Sequence, residues 1–234
     1  MRKNTNLSKS TLIRSIQCQK SLYLYKYFYN LRDKISKEQQ AVFNRGHNIG
    51  ELAQNLFPDG KNVAPKSPRY YHQSVNATSY LIKQSYPVIY EAAFRHNGII
   101  IFLDILVNRG NKWYAYEVKS SKRISETYIK DAAIQYYVIK NSGLEVSDFS
   151  IIYVNAECEY DKVKEYDLNH LFIEQSVLDK IETLQPYIND TVAKAKATLN
   201  KDEIPQIEMG NQCDNPYVCD FKGYCSQNPI HKQQ

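Results

Sequence analysis

The order of elements in this sequence predicts an α/β layered domain, a mixed central sheet flanked by helices. Three observations carry that prediction. Apolar residues recur at helical spacing over 10–29, 37–57, 126–141 and 168–199. Between these lie three consecutive strand-like runs, Val88–Phe94, Ile99–Val107 and Trp113–Lys119, and a later one at Phe149–Val154. The separators Asn97-Gly98 and Asn108 to Asn111 have hairpin chemistry, so the three runs form a meander.

Taken in order, Leu12, Ile13, Ile16, Leu22 and Tyr23 place one helix over 10–29, with Cys18 inside it and Ser8 or Ser10 as its cap. A second helix, 37–57, stops at Pro58, Asp59 and Gly60. It holds Gly46 and Gly50 with His47 between them. Each glycine costs about 1 kcal/mol against alanine, so the pair predicts close backbone packing. Residues 58–69 form a loop, and 71–85 a third helix. The helix 126–141 stops before Gly143 and is expected to be amphipathic, covering the sheet with Gln135 at its border. Lys162–Tyr166 is expected to pair with the strand Phe149–Val154. Residues 168–199 are helical with a break at Pro186, and Pro205, Gly210, Pro216 and Gly223 make the tail irregular.

The chain has 234 residues, 43% hydrophobic and 24% charged, which excludes disorder, collagen and coiled coil. A chain this long buries roughly 70% of its unfolded surface, so its core needs no disulfide staples. Five cysteines are too few, and odd in number, for a disulfide scaffold. The longest apolar run is broken by Asp104 and is too short to span a bilayer. No apolar signal core follows the polar N-terminus. The expectation is a cytoplasmic protein with no membrane partner, in which cysteines serve as metal ligands or core thiols. The formal charge of +5 permits a nucleic-acid partner without requiring one. Lys20, Lys26, Lys119, Lys122, Arg123 and Lys130 are candidates to face a phosphate backbone. The 20 tyrosines are unusual beside one Trp. Those at 23, 25, 27 and 29 suit stacking on unpaired bases, with half of them packing core and rim.

Asp104 interrupts Ile-Ile-Ile-Phe-Leu-Asp-Ile-Leu-Val. A buried carboxylate needs a partner, a metal or a wet cleft. Glu117 and Lys119 share one face of the next strand, with Val118 turned away. The hairpin sets the two strands side by side, so two carboxylates and a lysine converge. That set suits Mg²⁺-dependent phosphodiester hydrolysis. The plainer alternative is a Glu–Lys pair on the wet face of an edge strand, with Asp104 turned to a loop.

Cys213, Cys219 and Cys225 recur at intervals of six. Structural zinc favours Cys pairs two to four residues apart, which these gaps fit poorly. A 4Fe–4S cluster takes four thiolates. The fourth then comes from Cys18 or Cys158.

Asp104 followed by Glu117-Val118-Lys119 resembles the PD-(D/E)XK nuclease superfamily. Glu91 on the preceding strand, His47 in Arg-Gly-His-Asn-Ile-Gly-Glu-Leu-Ala, and Gln135 on the following helix extend the resemblance to RecB-type nucleases. One cysteine before the core and three after it resemble the iron–sulfur subgroup, which includes the CRISPR-associated single-domain exonucleases and the AddB nuclease domain. Cys18 matches the N-terminal position, leaving Cys158 as an ordinary thiol. The evenly spaced triplet departs from the group's shorter first gap. Ile139 stands where the family places a tyrosine, so Tyr136 or Tyr137 is expected to take that part.

The resemblance implies a restriction-endonuclease-like sheet with the N- and C-terminal helical parts joined by a metal cluster. Residues 1–234 then make a single nuclease domain, with its core over 88–166 and helical, cluster-binding parts over 8–57 and 168–225. It implies a metal-dependent deoxyribonuclease, an exonuclease on single-stranded DNA or free ends. Mg²⁺ or Mn²⁺ is held by His47, Asp104, Glu117 and Val118, and Glu91, Lys119 and Gln135 complete the catalytic set. Lys122, Arg123, Tyr136 and Tyr137 touch DNA. A structural 4Fe–4S cluster sits on Cys18, Cys213, Cys219 and Cys225, with zinc as the alternative. The implied protein partners are those of CRISPR adaptation or recombination. The competing function is a non-catalytic nucleic-acid-binding or assembly subunit with the same fold and cluster.

Overall fold

Two tight turns fix the centre of the molecule. Asn97 and Gly98 both take left-handed backbone, φ +48° and +73°, and so do Gly110 and Asn111 at +59° and +64°. Two consecutive left-handed residues make the hairpin turn whose twist matches its strands. In the computed structural model, which describes residues 3, 5–35, 37–158 and 167–229, these turns join β3 (Val88–His96), β4 (Ile99–Arg109) and β5 (Lys112–Lys119) into an antiparallel meander. The expected strands are present, each one or two residues longer at an end.

Helix α5 (Glu126–Asn141) then carries the chain back to β6 (Asp148–Val154), which pairs parallel with β5. Ser125 caps α5 by accepting from the Tyr128 backbone N–H. The sheet is completed by β1 (Leu7–Ser8), β2 (Lys61–Asn62) and β7 (Phe172–Ser176), seven strands in all among the described residues. β1 runs parallel beside the start of β4, at Leu7 opposite Ile99.

One face of the sheet carries the larger core. There Leu12 of α1 (Lys9–Gln17), Leu22 of α2 (Gln19–Tyr27) and Leu81 of α4 (Tyr71–Lys83) pack with Ala132 to Ile134 of α5. Ile181 of α7 (Leu178–Thr183) and Ile188 and Val192 of α8 (Gln185–Leu199) close it. The other face is covered by α3 (Lys37–Gln54), through Ile49 and Ala53, and by Leu171 of α6 (Leu168–Leu171). Each fully buried Leu or Ile contributes roughly 1.5–3 kcal/mol, so both faces are held mainly by burial.

Five expectations need correction. The first helix is two helices, because Cys18 is extended at φ −163°, ψ +120°. Its N–H still closes α1 on the Arg14 carbonyl, and its carbonyl opens α2 by accepting from Leu22. The break lets α1 pack on the sheet while Leu24 of α2 turns to a small third core with Cys219 and Phe221. Gly46 and Gly50 do not serve close packing: a Cβ at Gly46 would meet only the Ser120 Oγ at 4.0 Å, and one at Gly50 nothing. Within 168–199, Phe172–Ser176 is a strand, drawn to the free edge of β6, and the helices resume beyond it with Pro186 in the first turn of α8. Helix α5 is not amphipathic; Asp131 to Ile139 are all buried, enclosed between sheet and outer helices. The loop 58–69 contains the short β2. The expected strand Lys162–Tyr166 lies outside the described residues. Among those residues no helix is long and apolar enough to cross a membrane.

Candidate functional site

The strand β4 changes partner along its length. Its first residues pair with β1 and its last five, Ile105 to Arg109, with β5. Asp104 sits at the fork between the two. Its Oδ2 accepts the Val118 backbone N–H at 2.6 Å, a donor that the splayed ladder leaves free. Ile105 pairs with Tyr116, so the next residues outward, Asp104 and Glu117, face each other across the fork. On the other side Tyr90 pairs with Ile105 and Ala92 with Leu103, which sets Glu91 opposite Asp104. Three carboxylates thus stand abreast on three adjacent strands.

Glu91 also has a left-handed backbone, φ +55°. For an L-residue this costs roughly 1–2 kcal/mol, and such strain concentrates at functional sites. Its local effect is visible in the packing. Val88 and Tyr90 point into one core, Ala92 and Phe94 into the other. β4 switches at the same level, with Leu103 in the larger core and Ile105 in the smaller. The alternation of a strand breaks at Glu91 and Asp104 together, which turns carboxyls toward the fork where apolar side chains would otherwise sit.

Glu117 is 2% exposed. Its Oε1 accepts from Lys119 Nζ at 2.6 Å and from Lys9 Nζ at 2.7 Å, and its Oε2 accepts from Gln135 Nε2 at 2.7 Å. Asp131 of α5 accepts from Lys119 at 2.5 Å and lies 3.4 Å from Lys9. Burial alone would raise the Glu117 carboxyl, but Lys119 and Lys9 outweigh it and hold it well below the usual range. Burial pushes Asp104 well above its ordinary value, and the Glu117 charge adds to it. Burial and then Glu117 likewise raise Glu91. Burial opposes charge on Lys119, but Glu117, Asp131 and Asp104 raise it well above normal. The site therefore holds four carboxyls, Glu91, Asp104, Glu117 and Asp131, against two ammoniums. Fully ionised it is two negative charges in excess.

Gln135 is fully buried, and its Oε1 has no hydrogen-bond partner. A buried acceptor left open is expensive and is normally met by water or a ligand. Asp104, Glu117 and Lys119 are thus brought together, as their spacing predicts, and Glu91 and Gln135, which the resemblance named, stand beside them. Lys9 and Asp131 are additions. Lys9 follows β1 directly, so the pairing of β1 delivers it to the fork. Asp131 lies one helical turn before Gln135 on the same face of α5, which is a signal the sequence does contain.

Other expected residues stand elsewhere. His47 is 76% exposed and pairs with Glu51 at 3.1 Å. Tyr136 and Tyr137 are buried, the first donating to Glu182 at 2.6 Å and the second edge-on to His96. Tyr128 instead lies by the site, with Lys119 Nζ 5.1 Å from its ring centroid. Lys122 and Arg123 are exposed and line a groove of about 650 Å³ with Lys130 and Lys180. Lys119 is committed to carboxylates and Lys20 is buried, so neither is free for a backbone phosphate.

Four of the five cysteines meet. Cys18, Cys213, Cys219 and Cys225 line one small cavity. Burial raises Cys18, against backbone N–H groups of Ser21 and Lys20 that lower it. Burial also raises Cys225, with Lys20 opposing. Cys158 lies apart, buried with Leu171 and Phe172. The C-terminal segment is held to the first helices by polar contacts. Asp220 Oδ2 accepts from Arg14 at 2.7 Å and Arg32 at 2.8 Å. Gln17 donates to the carbonyls of Gln212 and Tyr217 at 2.8 and 2.6 Å. Gly223 donates to Asp33, and a Cβ there would run into that carboxylate. Among the described residues, no three His, Cys, Asp or Glu side chains already close around a metal-sized point.

Compared with protein-family models and with curated proteins, the chain matches none. Among solved structures it is similar to the crystal structure of SSO0001, with a TM-score of 0.43 and 12% identity over 98% of this chain and 90% of that one. A likeness of that degree identifies neither a family nor an activity.

Proposed function

We propose that this chain is a metal-dependent deoxyribonuclease of the PD-(D/E)XK type, an exonuclease on single-stranded DNA or free DNA ends. The observation that carries the reading is the charge imbalance at the fork. Four carboxyls face two ammoniums, and the two carboxyls not clamped by lysine, Glu91 and Asp104, are both pushed up. The excess is removed by two protons or by one divalent cation. An all-oxygen donor set suits Mg²⁺ or Mn²⁺. Glu91, Asp104, Glu117 and the Val118 carbonyl would hold the ion, while His47, exposed on α3 beside Glu51, stands outside this oxygen set.

When bound, the cation supplies Lewis-acid polarisation of the phosphodiester and an acidified water. The chain's own residues do the rest. Lys119, fixed by Glu117 and Asp131, offsets negative charge developing on the phosphate. Gln135 holds Glu117 with its amide N–H and offers its free Oε1 to a water proton. Lys122, Arg123, Lys130 and Lys180 give a strand's phosphates a neutralising groove. No contact set here reads base edges, so sequence specificity is not expected.

The reading includes a restriction-endonuclease-like fold and a structural 4Fe–4S cluster on the four convergent cysteines, joining the two helical ends. Four thiols around one cavity fit that donor requirement. One observation favours the competing reading of a non-catalytic nucleic-acid-binding subunit: both Glu117 oxygens are already satisfied by Lys9, Lys119 and Gln135.

The test is Mn²⁺-dependent cleavage of end-labelled single- and double-stranded DNA by anaerobically purified protein and by Asp104→Ala. Progressive loss of single-stranded substrate, abolished in Asp104→Ala, is expected. Cleavage indifferent to that substitution rejects the site. A brown protein that binds DNA without cutting it favours the binding subunit.

A further inference from the structure

Three donors hold the Glu117 carboxylate, and they are not equally firm. Gln135 is fully buried and gives Oε2 an amide N–H at 2.7 Å. Lys119 reaches Oε1 at 2.6 Å and Asp131 at 2.5 Å, and its ammonium lies over the Tyr128 ring. Its side chain is 15% exposed. Lys9 also reaches Oε1, at 2.7 Å, but its side chain is 26% exposed. Asp131 stands 3.4 Å from it, longer than a charge-assisted hydrogen bond. The Lys9 backbone, by contrast, is fixed. It opens α1 directly after β1, and the Ser8 side chain caps that helix by accepting from the Thr11 N–H. Lys9 is therefore anchored at the main chain and free to move along its four-carbon stem.

Glu117 Oε1 carries both ammoniums. A divalent cation ligated by Glu117 together with Asp104 and Glu91 would stand within a few ångströms of both. Like charges that close repel strongly in a buried site, so one ammonium yields to admit the ion. Lys119 is tied on three sides; Lys9 is tied on one and only loosely on a second. We propose that the Lys9 ammonium is the exchangeable occupant of the cation position at the fork, holding Glu117 when no divalent ion is there and giving way when one binds. The proposal rests on the metal-dependent reading above and names what regulates that same position. Without the ion, Lys9 supplies part of the positive charge that four carboxyls need. With the ion, Lys9 turns outward by a change of side-chain rotamer alone. The saturation of Glu117 is then a resting state and not an obstacle to ligation. The exchange also weakens ion binding, because each binding event gives up the Lys9–Glu117 pair. The fork fills only at a higher divalent-cation concentration than bare carboxyls would require.

The direct test needs neither a variant nor DNA. The full-length protein is given a brief pulse of N-hydroxysuccinimidyl acetate in EDTA or in Mn²⁺, and acetylation of each lysine is read by mass spectrometry. Mn²⁺ should raise labelling of Lys9 several-fold and leave Lys119 as protected as before. Mn²⁺ affinity, read from the free ion by electron paramagnetic resonance, should tighten roughly tenfold in Lys9→Met. It should not tighten in Lys9→Arg, which keeps the charge.

Melting gives a further sign. Lys9→Met should melt below wild type in EDTA, and the gap should close in saturating Mn²⁺, where wild type has already given the pair up. Bound Mn²⁺ with Lys9 still protected, equal affinity in wild type and Lys9→Met, or a melting gap that persists in Mn²⁺ overturns this proposal alone. No Mn²⁺ binding, or binding that Asp104→Ala leaves unchanged, overturns the metal-dependent reading with it.

Discussion

The fork in the sheet and the cysteine cavity are both polar interiors, and they are solved in opposite ways. At the fork, charges compensate one another: Lys9 and Lys119 sit between Glu117 and Asp131, and the remaining excess falls on Asp104 and Glu91. At the cavity the four cysteines line the wall without a carboxylate–lysine clamp, and among the described residues no set of His, Cys, Asp or Glu closes around a metal-sized point. The fork is assembled mainly from neighbouring strands and one helix. The cavity needs residues 18 and 213–225 to meet, so it exists only after nearly the whole chain has closed. A site whose lysines already clamp most of its charge should keep its fold without a bound ion; a cavity of unclamped cysteines should depend on one.

The sharpest way to break that contrast is Cys213→Ala. On the proposed cluster reading, Cys213 helps close nearly the whole chain, and losing such a link removes about 5 kcal/mol on the chain-entropy account. The variant should be colourless and poorly folded by near-UV circular dichroism. If it stays well folded and fully active, the cavity is no more dependent on a ligand than the fork.

Next in size is Glu117→Ala, which removes the buried carboxylate between Lys9 and Lys119 and leaves the two half-buried ammoniums with one acceptor fewer. Removing one partner of a buried ion pair costs about 3–5 kcal/mol, read by urea unfolding at neutral pH. The penalty should shrink in acid. Because the folded Glu117 carboxyl lies below its unfolded value, its contribution is present above the unfolded value and disappears as pH falls through the folded one. A penalty independent of pH would mean that Glu117 acts through packing.

The smallest effect has the opposite sign. Asp104 is raised in the folded state, so its ionisation opposes folding as pH rises through its folded value. Asp104→Asn, which keeps an acceptor for the Val118 N–H, should melt higher than wild type at pH 7 and lower its advantage as pH drops. Each 1 kcal/mol gained reads as roughly 2–4 °C at this chain length. A lower melting temperature at pH 7 would show that the fork is balanced with Asp104 charged.

How much of this was legible differs from residue to residue. The hairpins were, because Asn-Gly and Gly-Asn pairs announce left-handed turns. Asp104, Glu117 and Lys119 followed from those hairpins and from the two-residue period of a strand. Gln135 was singled out only by the resemblance, and its burial was not legible, since the sequence of α5 reads as amphipathic with Gln135 at the border. Lys9 carried no local signal; it reaches Glu117 from 108 residues away. The kink at Cys18 and the strand Phe172–Ser176 were hidden for the same reason. Each answers a distant partner, the C-terminal segment in one case and the open edge of β6 in the other. Tyr136 and Tyr137 show the cost of reading residue type without environment: both belong to the core.

By itself the sequence determined which residues share a strand face and where the chain turns. Those are consequences of backbone period and turn stereochemistry, which act over a few residues. Only the tertiary structure decided which carboxyls are clamped and which are left to seek protons or a cation, and that Cys18 and the C-terminal cysteines line one cavity. Charge balance in an interior is a sum over everything within a few ångströms, and the terms come from opposite ends of the chain.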